Sequence, residues 1–176
     1  TATVRPARGA RGRVPRWVGG RSPLSTQLAD AVRLQLEGYL DQGPQTREMH
    51  AVAPILEQQR RVSIIPRPSE LLIESLRTED GHHVFLFPLA GRLAHEGLAA
   101  LLGHRVTRRA STSIVVTATD WGIELMGSDA FPTDEAVWRD LLSETDLVED
   151  LLACLDTTTL ARRHFREVAR IAGLIH

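Results

Sequence analysis

The chain contains no lysine; all 21 of its basic residues are arginine. A Gly-x-x-x-x-Gly-Lys loop is therefore absent, and no lysine exists to approach the β- and γ-phosphates of a nucleotide. No acidic box that would hold magnesium beside such a loop is present either. The chain is thus not expected to be an enzyme by itself. Its single cysteine, Cys154, excludes an internal disulfide. It lies in the apolar run Leu151-Leu152-Ala153-Cys154-Leu155, which predicts a small buried hydrophobe with a protonated thiol and points to a reducing compartment. No apolar run reaches the ~20 residues that a bilayer-spanning helix needs. The Arg-rich start lacks the apolar core of a signal peptide. These absences predict no membrane partner and a cytoplasmic location.

What is present is ordinary in bulk. The 176 residues are 43% hydrophobic and 24% charged, with a net charge of −1, which suits one soluble domain or one domain with a small appendage. The charge is unevenly spread. Arg5, Arg8, Arg11, Arg13, Arg16 and Arg21 all precede the first acidic residue, Asp30. The stretch 129–156 is acidic and reads as a solvated face of short helices. A GC-rich genome alone yields arginine in place of lysine, but arginine is also the better residue for bidentate phosphate contacts. The sequence starts at Thr1 rather than Met, which predicts a fragment of a longer protein.

The periodicity predicts an α+β fold of antiparallel hairpins with helices packed against them and a helical C-terminal part. Residues 1–24 read as an Arg/Gly-rich linker with a Trp-containing loop, 25–128 as an α+β core, and 129–176 as a helical subdomain. Helices are expected over Ser25–Leu40, with Leu28, Val32 and Leu36 inward, and over Thr46–Arg61, with Met49, Val52, Ala53 and Leu56 inward and a kink or break at Pro54. Val62-Ser63-Ile64-Ile65 is a short strand candidate. Leu71–Leu76 and Val84–Phe87 form a hairpin across Asp80-Gly81, a pair that supplies the positive φ angles of a tight turn. Gly91–Arg109 is a helix burying Leu93, Leu98, Leu101, Leu102 and Val106. Ser113–Thr117 and Ile123–Leu125 form a second hairpin, turned by Asp120-Trp121-Gly122. Helices over Asp134–Leu142 and Asp146–Leu155 follow, then a third capped by Asp156 or Thr157 and ended at Gly173.

Constellations for metal or nucleophilic chemistry are lacking. Adjacent His82 and His83 point to opposite faces of a strand, His95 and His104 are too far apart to share an ion, and all four read as surface or turn histidines. Three features suit nucleic acid, each with a plainer rival. Arg16-Trp17-Val18-Gly19-Gly20-Arg21 sets an aromatic between two guanidiniums on a glycine loop, able to stack on a base; alternatively Trp17 anchors the linker to the core. Gly91-Arg92 opens a helix whose N–H groups and guanidinium favour a phosphate; alternatively Arg92 pairs with a carboxylate at the core edge. Arg60-Arg61 and Arg105, Arg108, Arg109 end two helices, where the dipole favours cations in any case.

Several segments resemble one family. Pro15-Arg16-Trp17-Val18-Gly19-Gly20-Arg21-Ser22-Pro23-Leu24-Ser25-Thr26 is similar to the segment that follows the winged-helix domain of ligase-associated, Lhr-like DEXH-box helicases. So are Glu57–Ser63, Leu71–Glu74, Phe87–His95, Ala118-Thr119-Asp120-Trp121-Gly122 and Phe165–Ile175, in the same order along the chain. One departure is Leu89-Ala90, where an aromatic and an acid are expected, so that Arg92 is predicted to lack a carboxylate neighbour.

The resemblance implies a DEAD/H-associated accessory domain in an ATP-dependent 3′–5′ DNA helicase of bacterial DNA repair. Its partners would be single-stranded DNA or a 3′-tailed duplex, the winged-helix and RecA-like domains of the same protein, and a DNA ligase pathway. Its place would be the bacterial cytoplasm, at the nucleoid. ATP and magnesium would belong to the motor domains, with no cofactor in this segment. Trp17 would touch the tracking strand, with Arg16, Arg21, Arg92, Arg60 and Arg61 as further DNA-binding candidates. A second reading makes the segment a brace between motor and winged helix with little DNA contact.

Overall fold

The structure, a computed structural model, describes residues 23–110 and 113–157. It opens with two helices, α1 (Thr26–Gln42) and α2 (Arg47–Val62). Each begins where a hydroxyl can satisfy a free N–H: Ser25 accepts from Leu28 and Thr46 from Met49. Gly43, at φ +75°, ends α1. The pair closes around Tyr39, Met49 and Ile65, with Leu36, Leu40, Ala53 and Leu56 alongside. Leu28 and Val52, expected inward, are exposed because Ala29 and Met49 hold the inner faces.

Pro54 neither splits α2 nor ends it; the helix is one element across it. Pro54 and His50 are both exposed, so water can serve the carbonyl that the ring deprives of its donor. The expected strand at Val62–Ile65 is not formed. Val62 completes α2, the Ser63 N–H donates to the Gln59 carbonyl, and Ile65 buries against Tyr39 and Met49. The local β-propensity lost to helix continuation and to burial of one isoleucine.

Four strands form one antiparallel sheet: β1 (Leu72–Arg77), β2 (His82–Phe87), β3 (Ile114–Ala118) and β4 (Ile123–Gly127), in the order β1-β2-β4-β3. Both expected hairpins are present, with Ile73 opposite Leu86 in one and Val116 opposite Leu125 in the other. The first turn is longer than Asp80-Gly81 suggested. Thr78 and Gly81 close it by an N–H···O bond of 2.9 Å, and only Gly81 has positive φ. Its α-carbon abuts the Gly127 carbonyl, where a Cβ would sit at 2.5 Å.

Helix α3 (Arg92–Ala110) lies on the sheet, joined by α4 (Glu135–Leu141) and α5 (Leu147–Thr157). The core gathers Val84, Leu86, Ala99, Leu102, Val106, Ile123, Leu125, Trp138 and Leu141. Trp138 and Leu141, from the acidic stretch, thus share one core with the sheet, and the Trp138 indole N–H donates to the Pro132 carbonyl at 2.9 Å. The buried stripe of α3 runs His95, Ala99, Leu102, Val106, at four- and three-residue spacing. Leu93 falls outside that stripe and is exposed, against expectation. Helix α5 continues through Asp156 and Thr157; the expected third C-terminal helix and its cap lie outside the described residues.

Candidate nucleic-acid interface

Trp17, Arg16 and Arg21 lie outside the described residues, but the chain becomes described just after them, and its attachment there is specific. The Leu24 N–H donates to Asp120 Oδ1 at 3.1 Å, and the Leu24 carbonyl accepts the Arg92 N–H at 3.1 Å. The Thr26 hydroxyl donates to the Ala90 carbonyl at 3.3 Å. Three segments that carried the family resemblance therefore meet at one point, although 64 to 96 residues separate the partners.

Gly91 makes this approach possible. It sits at φ +90°, and a Cβ there would be 2.7 Å from the Leu24 carbonyl oxygen. Leu89 also has positive φ, +47°, so the chain turns a tight corner before α3. His95 holds the corner from beneath. Its Nδ1 bonds the Thr119 carbonyl at 2.8 Å and its Nε2 accepts the Ala90 N–H at 3.0 Å. These partners fix the neutral imidazole with its proton on Nδ1. His95 is fully buried, so it is a structural strut and not a surface histidine. His83 is buried as well, between Glu124 at 2.9 Å and Thr78 at 2.8 Å. The sequence misplaced both because their partners lie on other strands and turns.

Arg92 is turned toward the protein. Its Nε donates to Asp120 Oδ1 at 2.9 Å and its Nη2 reaches Oδ2 at 3.4 Å, while Glu96 lies 3.8 Å from Nη1. Hydrogen bonding to Asp120 holds the Arg92 pKa above its ordinary value against the opposing effect of burial. The expectation that Leu89-Ala90 would leave Arg92 without a carboxylate neighbour fails, because the β3–β4 turn supplies the acid. The first free N–H of α3 is likewise occupied by Leu24, so a phosphate at this helix start would compete with two carboxylates and a carbonyl.

Arg60 and Arg61 end α2 in solvent. Arg60 lies 3.6 Å from Glu57, one turn away, whereas Arg61 makes no ion pair among the described residues. No described contact joins either to the Arg92 cluster. The arginines ending α3 are engaged internally. Arg105 is buried; its Nε meets Asp150 at 2.7 Å, and its Nη atoms donate to the Leu141, Ser143 and Thr145 carbonyls at 2.6–2.8 Å. Arg108 adds a second contact to Asp150 at 2.8 Å, and Arg109 pairs with Asp140 at 2.8 Å. The Asp150 carboxyl is held below its usual range, chiefly by the Arg105 hydrogen bond. Asp150 is thus buried, not part of a solvated acidic face. Among the described residues, no group of three or more His, Cys, Asp or Glu could hold a metal ion.

The sequence reading gave no site role to the β3–β4 turn. Asp120 joins Leu24 to Arg92 there, and Trp121 beside it is 57% exposed. In the sequence both stood as a turn signal and as part of the Ala118–Gly122 resemblance, with no site role.

Residues 65–176 match the family described as DEAD/H associated. The chain belongs to that family. It is 29% identical over 186 residues to the ATP-dependent helicase Lhr-Core protein 2 of Thermococcus barophilus, covering 98% of this chain and 22% of that protein. It is 23% identical to the ATP-dependent helicase Lhr-Core of Methanocaldococcus jannaschii, covering 89% and 20%. In fold it is similar to the Mycobacterium smegmatis helicase Lhr solved with ssDNA and AMP-PNP, at TM-score 0.63 and 21% identity over 92% of this chain and 22% of that one. The DEAD/H-associated chain is therefore Lhr-like along nearly its whole length, and spans about a fifth of the length of these relatives.

Proposed function

We propose that this chain is an accessory, DNA-contacting domain of an ATP-dependent 3′–5′ DNA helicase acting in DNA repair. It lines the single-strand channel beside the RecA-like motor and the winged helix. The observation that carries this reading is the junction of Leu24, Ala90–Arg92 and Asp120. A loop that contacts a moving strand must be held at a rigid base, and this junction attaches the Trp17-bearing segment to the α+β core seven residues beyond Trp17.

In this reading Trp17 stacks on bases, Arg16 and Arg21 meet phosphates, and Arg60 and Arg61 add cations at the end of α2. Arg92 acts mainly through Asp120. ATP and magnesium belong to the motor domains, and the work is cytoplasmic, at the bacterial nucleoid and within a ligase-linked repair pathway. The alternative is a brace between motor and winged helix. It draws support from Ile55 and Val62, which leave apolar surface on α2 exposed.

The test is binding of single-stranded DNA by the motor-containing protein, followed by fluorescence anisotropy across a salt series. Trp17→Ala should lose about 1–3 kcal/mol, the worth of one base stack, and affinity should fall with salt. A Trp17→Ala protein that binds and unwinds like the parent would favour the brace.

A further inference from the structure

Three tryptophans occur in the chain, and the two described ones have opposite environments. Trp138 is 5% exposed and its indole N–H is bonded to Pro132; Trp121 is 57% exposed, with no ring contact or side-chain hydrogen bond among the described residues. An indole left mostly in water is a large apolar surface without a counterpart, and tryptophan faces suit stacking on another planar group.

The backbone that presents Trp121 is rigid. The Thr119 hydroxyl accepts from the Trp121 N–H at 3.2 Å and from the Gly122 N–H at 3.1 Å, and the Thr119 N–H donates to the Gly122 carbonyl at 2.9 Å. Gly122 is clamped against β2, where a Cβ would stand 2.6 Å from the Leu86 carbonyl. The preceding residue, Asp120, binds both Leu24 and Arg92. The turn that displays Trp121 is therefore the same turn that anchors the segment leading from Trp17 and Arg21.

From this geometry we propose that Trp121 is a second base-stacking residue, taking a nucleobase of the same single strand that the Trp17 segment contacts. The inference rests on the DNA-contacting reading above and extends it from one aromatic to two, on separate elements fixed at one junction. A nucleobase fits better than an apolar protein surface because the turn is polar. Thr119 and Asp120 precede Trp121 in the turn, and Asp120 carries the Arg92 ion pair, so a bulky apolar partner would bury charges, whereas a base offers a π-face with polar edges. Pairing with Arg92 also offsets the Asp120 charge that would otherwise repel a phosphate.

The experiment uses the motor-containing helicase and a labelled oligodeoxynucleotide, intact or with a single abasic site moved along it. Trp121→Ala should weaken binding to intact DNA roughly 5- to 150-fold, the range of one lost base stack, and Trp121→Phe should restore most of it. At one abasic position the wild type should weaken, while Trp121→Ala should show no further loss there. Equal losses for Trp121→Ala on intact and abasic DNA at every position would overturn the proposal, because the contact would not be to a base. So would binding within twofold of wild type while Trp17→Ala is impaired; Trp121 would then face a neighbouring domain, and the DNA-contacting reading would stand without it. If neither variant is impaired, that reading fails too. Trp121 is an exposed turn residue, so an unchanged thermal midpoint should accompany each result.

Discussion

Replacing Gly91 by alanine should destabilise the chain more than its size suggests, because two separate costs fall on one methyl group. Gly91 holds φ +90°, a region where a side chain costs ~1–3 kcal/mol. The new Cβ would also lie 2.7 Å from the Leu24 carbonyl oxygen and 3.1 Å from the Ser25 carbonyl carbon, both backbone atoms. Leu24 would have to retreat, weakening the bond it accepts from Arg92, worth ~0.5–1.5 kcal/mol. Together these give a loss of about 2–4 kcal/mol. Gly97 is the internal control. It lies in α3 with nothing within 4 Å of its Cβ position, so alanine there should stabilise by up to ~1 kcal/mol through helix propensity alone. Equilibrium urea unfolding of both variants measures the difference. If Gly91→Ala proves as stable as Gly97→Ala, the close packing of Leu24 on the start of α3 is wrong. If Gly91→Ala is destabilised as reasoned, the same variant in the motor-containing protein should also weaken single-strand binding, since it loosens the base of the Trp17 segment.

Three further outcomes follow from the core. Leu102 is fully buried at the centre of the main cluster, and Leu102→Ala should cost ~2–5 kcal/mol in the same urea assay; a smaller loss would mean that α3 does not close the sheet. Asp150 has a depressed folded-state pKa, so its stabilising contribution is present above its unfolded value of about 3.9 and is lost as pH falls through the lower folded value. Asp150→Asn should therefore flatten the acid limb of a stability-versus-pH curve, and an unchanged limb would contradict its pairing with Arg105. Cys154 is buried, donates to the Ala100 carbonyl, and has its thiol pKa raised chiefly by desolvation. A thiol-reactive probe should label it far more slowly in the native chain than in urea.

Much of the fold was readable in the sequence because its signals were local. Serine and threonine caps, the glycine that ends α1 and the alternation in both hairpins each act within a few residues, and α1 to α4 and all four strands lie within a few residues of their expected bounds. What could not be read was which long-range partner a polar side chain would find. His95 looked like a surface histidine because nothing nearby in sequence announces the Thr119 carbonyl and Ala90 N–H that hold it. Asp150 looked solvated because its neighbours in sequence are acids, while its partner Arg105 is 45 residues away. Leu93 was expected inward on hydrophobicity alone, yet the stripe on α3 is completed by a histidine. Trp121 was legible as turn punctuation and as part of the Ala118–Gly122 resemblance, but not as an exposed face; its exposure emerges once Gly122 is seen pressed onto β2.

The same long-range pairing bears on the proposed contact with DNA. An arginine-only chain invites a picture of a basic wall along a phosphate track, but most of the described guanidiniums are already matched. Arg33, Arg60, Arg67, Arg92, Arg105, Arg108, Arg109 and Arg139 all face carboxylates, and Asp140 and Asp150 of the acidic stretch are counterions of the α3 terminus. Arg47, Arg61 and Arg77 make no ion pair among the described residues. Each phosphate contact on a single strand contributes a salt slope of about 0.7, so three such residues would give this body only a shallow dependence. Under the proposed DNA-contacting reading, its share of affinity would then come mainly from aromatic faces, which salt does not screen, and from the arginines that precede Leu24. That division of labour suits a motor accessory. Stacking tolerates any base, and a few weak charges let the strand advance without having to break many ion pairs at each step.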